Sequence, residues 1–380
     1  MTRMKRAQSR LQFVSSSQRS RPTFQTGVSI HSHTIHSKED LSCLPQYLEK
    51  LPIVSQFLQW ENQRHLAITG RRLDFSQAYW RGPLTARTAY DLEKRQIEAL
   101  GLCAIVSLTD HDNIEAGLQL QTYGTGEKPP ISVEWTVPFG DTCFHFGIHN
   151  LPIDVAQSLM AEMADFSRDP TPEVLTELIE RFDSDPAILT VINHPLWLIS
   201  SAGLESHLGS LRGLMRQLRP HIHALEFNGL RPWKENMGTV ALGEEFGLPV
   251  VSGGDRHGFE PNAVINLTNA GSFAEFISEV RVDRTSNIAV MPQYREPLPL
   301  RQLGCAWDAV REAPHIPDLQ PWPERVIVRC VDGIERPLSE IWAKKAHRWI
   351  DPCLRLMGLI AHPNLRGALR WAFIANGSAV

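Results

Sequence analysis

Cys103-Ala104-Ile105-Val106-Ser107-Leu108-Thr109-Asp110-His111-Asp112 is an apolar run of strand length that stops on a cluster of ligand-forming side chains. A buried strand tolerates such groups poorly unless something outside the sheet satisfies them. The run therefore places a reactive edge at the C-terminal end of a strand. Ahead of it, Thr85 to Gly101 sets Ala89, Leu92, Gln96 and Ala99 on one helical face, and further back Val28-Ser29-Ile30-His31 alternates with period two. Downstream, Thr171-Pro172 supplies an N-cap and a first-turn proline ahead of Leu175, Leu178, Ile179 and Phe182. Ser272 with Glu275 forms a capping box before Phe273, Phe276, Ile277 and Val280. Short apolar strands lie between: Ile131 to Trp135, Phe144 to Ile148, Ala187 to Ile192, Ile222 to Phe227 and Leu248 to Val251. Strands alternating with helices predict an α/β fold built on a parallel sheet or barrel.

The 380 residues fit one barrel plus an extension, and 38 basic against 42 acidic residues give a net charge of −4, which offers no general reason to expect nucleic acid or anionic lipid as a partner. No apolar run reaches the roughly 18 residues of a bilayer span. Six cysteines without a C-x-x-C pair give neither a zinc ribbon nor a disulfide scaffold, so a reducing cytoplasm is the expected compartment. Residues 1–25 begin with six basic side chains and no acid over the first 22 positions and are read as a disordered basic tail. Residues 26–290 form the expected barrel, with an insertion at 44–84 whose Arg71, Arg72, Tyr79, Trp80 and Arg81 would wall the substrate. Residues 291–380 form a proline-rich and helical C-terminal extension.

The histidines fall where the strands end. His31 and His33, two apart on a strand, point the same way. Thr109-Asp110-His111-Asp112 closes the next strand. Glu134 follows, with His145 eleven residues later; then come His194 ahead of Pro195, Glu226 with Asn228, and Asp255 with His257. All but His145, which falls early in its strand, sit at or near C-terminal strand ends. In a parallel barrel those ends form one rim. Imidazoles mixed with carboxylates suit manganese, zinc or iron rather than calcium.

The ordered set H-x-H, T-D-H-D, E with H eleven on, N-H-P, E-F-N and D-x-H resembles the polymerase and histidinol phosphatase (PHP) family over residues 27 to about 290. The resemblance implies a distorted (β/α)7 TIM-like barrel and a multinuclear metallohydrolase, usually of phosphate esters. Carried over, a first divalent ion (Mn2+, Zn2+ or Fe2+) would be held by His31, His33, Glu134 and Asp255, and a second by the bridging Glu134 with His145 and His194. A third would use His111, His257 and an acid five positions after the H-x-H.

That position is Lys38, a cation where an anion is required. His36, Glu39 and Asp40 could substitute if the loop is re-threaded. With the loop unshifted, two ions are expected, the third site being weak or absent. Lys38 would then counter substrate charge together with Arg231 or Arg256, and His111 and His257 would remain free to donate protons. Asp110 and Asp112 would fix imidazole tautomers, and Asn228 would do the same for Glu226. The expected reaction is hydrolysis of a small phosphorylated metabolite or nucleotide by a water bridging the two ions. Exonuclease-like trimming is weakened by the absence of a long basic groove. Hydrolysis of an amide or lactone would suit the same ions, since a bridging hydroxide also attacks carbonyl carbon, and a retired barrel would serve as a binding scaffold.

Overall fold

The computed structural model describes residues 6–14, 23–41, 52–70, 78–122, 128–198, 203–311, 320–330, 332–342, 350–362 and 365. The chain is a mixed α/β protein. Its five-stranded sheet follows the order β1 (Gln8–Phe13), β13 (Thr285–Val290), β12 (Val264–Thr268), β2 (Thr26–Ser29) and β5 (Cys103–Val106). The six-stranded sheet follows β11 (Val250–Gly253), β10 (Ala224–Asn228), β9 (Leu189–Asn193), β8 (Thr142–His149), β7 (Ser132–Phe139) and β6 (Thr109–His111). A four-stranded sheet, β15 (Glu335–Pro337), β14 (Val326–Arg329), β4 (Ala78–Trp80) and β3 (Glu39–Asp40), pairs with neither.

The two larger sheets are stitched along two seams. On one, the single segment that carries β5 and β6 passes between sheets at Ser107-Leu108, with Ser107 N donating to Ser29 O at 2.8 Å and Thr109 N to Ser32 O at 2.9 Å. On the other, Asp255 N donates to His31 O at 3.0 Å and His33 N to Arg256 O at 2.8 Å. The Asn266 amide adds a side-chain clasp, accepting from Ser252 N at 2.7 Å and donating to Ser252 O at 2.8 Å and Val28 O at 3.2 Å. Helices Ala156–Arg168, Pro172–Ser184 and Leu204–Leu218 bury their apolar faces in the cluster around Trp135, Phe146 and Phe182.

Both predicted caps form: Thr171 Oγ1 accepts from Val174 N at 3.3 Å, and Ser272 Oγ from Glu275 N at 3.2 Å. Three expectations are corrected. The strand succession is not parallel throughout, because β7 and β8 are an antiparallel hairpin turning at Gly140, whose φ is 60°; two residues cannot make a parallel crossover. The helix Ala86–Glu98 turns Ala89 inward as predicted, but its other buried residues are Ala86, Glu93 and Ile97, while Leu92 and Gln96 are half-buried and Ala99 is exposed. Glu93 draws it round by bonding Asn262 Nδ2 and lying 3.3 Å from Arg256 Nη1. Residues 8–13, expected in a disordered tail, are strand β1, paired in parallel with β13. Within the 44–84 insertion, Pro52–Thr69 is helical and Tyr79 and Trp80 lie on β4, whereas Arg71 and Arg72 fall outside the described residues. Among the described residues no helix is long and apolar enough to cross a membrane.

Candidate metal centre

Glu134 is fully buried on β7, and its two oxygens face different histidines. Oε2 lies 2.9 Å from His31 Nε2, 3.3 Å from His33 Nε2 and 3.3 Å from His111 Nε2. Oε1 lies 3.1 Å from His194 Nε2 and 3.2 Å from His145 Nδ1, and accepts from Asn193 Nδ2 at 3.0 Å. The hairpin explains why His145 could come early in its strand and still reach this edge. β8 runs opposite to β9, so His145 is level with Asn193, the last residue of β9.

The hydrogen bonds set the imidazole tautomers. His31 Nδ1 donates to Glu226 Oε1 at 2.5 Å, and His257 Nδ1 donates to the Asp255 carbonyl at 2.9 Å. The Ser37 hydroxyl donates to Glu39 Oε1 at 2.8 Å, so His33 Nδ1 donates to Ser37 Oγ at 3.2 Å. When neutral, each of these rings therefore turns a bare Nε2 lone pair inward, and two of them, on His31 and His33, face each other at 3.1 Å; without an ion the carboxylates around His31 and His257 outweigh burial and favour the protonated ring. Facing lone pairs among carboxylates repel unless a cation lies between them. His145 Nδ1 and His194 Nδ1 are buried without a hydrogen-bond partner. Such a donor set fits divalent transition metals. Among the described residues, three groups have ligand atoms all within 4.8 Å of one another: His33, Glu39, His111 and His257; His31, His33 and Glu134; His111, Glu134 and His145.

Charge follows the same pattern. Burial opposes ionisation of Glu134, and His111, His31 and His145 outweigh it, holding the carboxyl well below its usual range. Burial likewise opposes ionisation of Glu39 and Asp255, and the neighbouring imidazoles keep both well below theirs. Asp255 Oδ1 stands 3.5 Å from His33 Nε2 and 3.7 Å from His31 Nε2. Asp255 and His194 adopt φ of 54° and 28°, a costly backbone for non-glycine residues that clusters at functional sites. Gly253 leaves the room Glu226 needs, since a Cβ there would meet Glu226 Oε1 at 1.5 Å.

Several assigned roles are corrected. Lys38 is exposed, its ammonium 5.8 Å from the centre of the Tyr79 ring, while Glu39 beside it turns inward; neighbours in extended chain face opposite ways. Glu39 Oε2 lies 3.2 Å from both His111 Nε2 and His257 Nε2. The vacancy expected at the third group is thus filled, and these two rings are not free proton donors. Arg256 is buried away from the ligands, donating to Gly258 O and Phe259 O, each at 2.9 Å, and to Glu93 Oε1. Asp110 accepts from Thr34 N at 2.5 Å and Thr34 Oγ1 at 2.7 Å, and Asp112 from Thr136 N at 2.8 Å, so neither carboxyl orients an imidazole by a hydrogen bond. Burial raises Asp110 to about 7. Asn228 does bridge two carboxylates, donating to Glu226 Oε2 at 2.9 Å and Asp255 Oδ2 at 3.1 Å. Sequence reasoning gave no role to Asn193, the first residue of the N-H-P motif, and missed Ser37, two positions before Glu39. It also missed Trp197, over whose ring the Arg231 guanidinium sits at 3.8 Å.

No protein-family profile and no curated protein matches the sequence. Among solved structures, PsfC from Pseudomonas syringae aligns at a TM-score of 0.37 and 16% identity, over 71% of this chain and 93% of that one. A proposed metal-dependent phosphoesterase from Bifidobacterium adolescentis aligns at 0.32 and 14%, over 70% and 97%. An amidohydrolase from Chromobacterium violaceum, with bound sulfate and no metal, aligns at 0.31 and 16%, over 46% and 83%. Likenesses this distant carry no argument, and the function is argued from the side chains.

Proposed function

We propose that the chain is a metal-dependent hydrolase of small phosphorylated metabolites or nucleotides, and that its two stitched sheets are the distorted (β/α)7 barrel the motif order implies. The carrying observation is Glu134, one buried carboxylate whose two oxygens address two sets of imidazoles. His31, His33 and Asp255 would hold one ion with Glu134 Oε2, and His145 and His194 a second with Oε1. His33, Glu39, His111 and His257 would hold a third. Bound divalent ions supply Lewis acidity and bring the pKa of water towards neutrality, which no side chain of this site provides alone.

The chain's own residues do the rest. Glu226 fixes His31 through Nδ1 and also accepts from His194 N at 3.0 Å, so one carboxylate sets a ligand of each ion. Asn228 orients Glu226 and Asp255 together. Arg231 stacks on Trp197, lies 3.8 Å from Asp255 Oδ2, and keeps a buried Nε without a partner. The Arg231 guanidinium would pair with a substrate phosphate, and its positive charge favours an anionic phosphate ester over a neutral amide or lactone. Trp197 packs edge-on against His194 at 4.9 Å and His145 at 6.0 Å between ring centres, and shields that side from water.

The test is metal content per chain, by elemental mass spectrometry, of protein purified without chelator. Two or three equivalents, lost in Glu134→Ala, with turnover of phosphate esters but not of amides or lactones, is the expected result. No bound metal after reconstitution with manganese, zinc or iron would sink the reading. Turnover of amides alone would leave the metal centre and overturn the substrate class.

A further inference from the structure

Glu39 reaches the histidines by a route that the other ligands do not share. His31, His33, His111, Glu134, His145, His194, Asp255 and His257 all sit on strands of the two larger sheets or within four residues after them. Glu39 instead lies on β3, an edge strand of two residues whose partner is β4, in the register Glu39↔Trp80 and Asp40↔Tyr79. β4 pairs on its other side with β14, Val326 opposite Trp80 and Val328 opposite Ala78. The ladder continues beyond the strand ends, Leu41 N donating to Ala78 O at 3.0 Å and Arg81 N to Arg325 O at 2.9 Å. This sheet has an apolar cluster of its own, in which Ala78, Val326, Val328, Leu338 and Trp342 are buried. The Tyr79 hydroxyl ties β4 to the start of β15 by donating to Glu335 Oε2 at 2.8 Å.

A two-stranded ribbon this short is not stable by itself; a third strand and an apolar face are needed. For β3 and β4 both come from the C-terminal extension. We infer that β14 is the positioning device for Glu39, so that the extension completes the ligand group His33, Glu39, His111 and His257. Ser37 Oγ, which donates to Glu39 Oε1, orients the carboxylate once the strand is in place. The inference rests on the metal-dependent reading above and deepens it: without the small sheet the Glu134-centred ligands remain, and the third group loses its acid.

The test uses the full-length chain. Wild type, Glu39→Gln, Val328→Asp and Leu338→Ala are loaded with excess Mn2+, desalted and assayed for manganese per chain, while amide hydrogen exchange at residues 78–80 reports on the small sheet. About three equivalents are expected in wild type and about two in both Glu39→Gln and Val328→Asp. Exchange at 78–80 should quicken at least about tenfold in Val328→Asp and stay unchanged in Glu39→Gln. Leu338→Ala buries no charge and serves if Val328→Asp does not fold; it should lose part of the third equivalent in step with its exchange. Three equivalents retained in a variant whose small sheet has opened overturns the inference, and so does a wild type holding only two. A wild type that binds none overturns the hydrolase reading instead, which keeps the two failures apart.

Discussion

His207 and His223 are buried as His31 and His33 are, yet they settle without an ion. His207 Nε2 donates to Pro195 O at 2.9 Å, with Thr142 Oγ1 3.3 Å from its Nδ1. His223 Nδ1 accepts from Thr190 N at 2.8 Å, while Nε2 lies 2.9 Å from Asp183 Oδ1. At these scaffold sites the polar partners on the two ring nitrogens complement one another. At Glu134 the imidazoles instead meet one another and shared carboxylates, so that five inward nitrogens compete for the same two oxygens. Burial alone therefore does not mark a ligand. What marks it is a nitrogen left over within a group of imidazoles and carboxylates close enough to share an ion; His149 also has an Nε2 left over, but it belongs to no such group among the described residues.

The largest break in this comparison is Glu134→Ala. It should strip the metal and lower turnover by about 10³-fold or more while the chain stays folded, as elemental analysis and circular dichroism would show. Retained metal would mean that the histidines do not depend on this carboxylate. The reverse case is His207→Ala. It should cost about 2–4 kcal/mol of stability in denaturant unfolding and leave metal per chain unchanged; loss of metal there would erase the distinction between the two sets.

Acid sharpens the contrast further. His149, buried under the site with Nδ1 3.2 Å from Ser107 Oγ, is lowered to about 3 by burial, with His31 adding to the effect. His223 is lowered by burial as well, and Asp183 is held below its ordinary value by His223, His221 and Arg281. A histidine that folds neutral gives stability that is full above its unfolded value near 6.5 and is lost as pH falls towards its folded value; the depressed Asp183 acts in the same direction from about 4 downwards. These groups should lower the melting temperature of metal-free protein between about pH 6.5 and 3, opposed between about 7 and 4 by Asp110, which burial raises to about 7. Replacing His149 by Gln should flatten that slope across the whole window from about 6.5 to 3. The smallest effect is expected at Lys38, whose change to Ala should alter turnover by less than about twofold, because its exposed ammonium lies over Tyr79 and not at the ligands.

The helix caps at Thr171 and Ser272, the strand-end positions of the ligands and the Glu226–Asn228 support could be read from the chain because each depends on local spacing. Glu39 could not be placed that way. Whether Lys38 or Glu39 faces inward depends on the pairing of β3 with β4, and that on β14 from the far end of the chain. The helix Ala86–Glu98 defeats the spacing rule for a related reason: its apolar pattern competes with a buried carboxylate at Glu93, whose partners Arg256 and Asn262 are remote in sequence. The β7–β8 turn is legible in principle, since Phe139-Gly140-Asp141-Thr142 carries a hairpin signal. His145 and His149 lie on one face of one strand, and no spacing rule separates the ligand from the scaffold residue.

The seams between the large sheets give the centre a mechanical asymmetry. On the side of His111, a load drawing the sheets apart falls on the covalent chain at Ser107-Leu108. On the side of Asp255 and His257, it falls on the backbone bonds to His31 and Arg256 and on the Asn266 clasp. Under tension the joint parts at its hydrogen-bonded lap, so Asp255 and His257 leave His31 and His33 first, while Glu134, His111, His145 and His194 travel together on one sheet and its flanking loop.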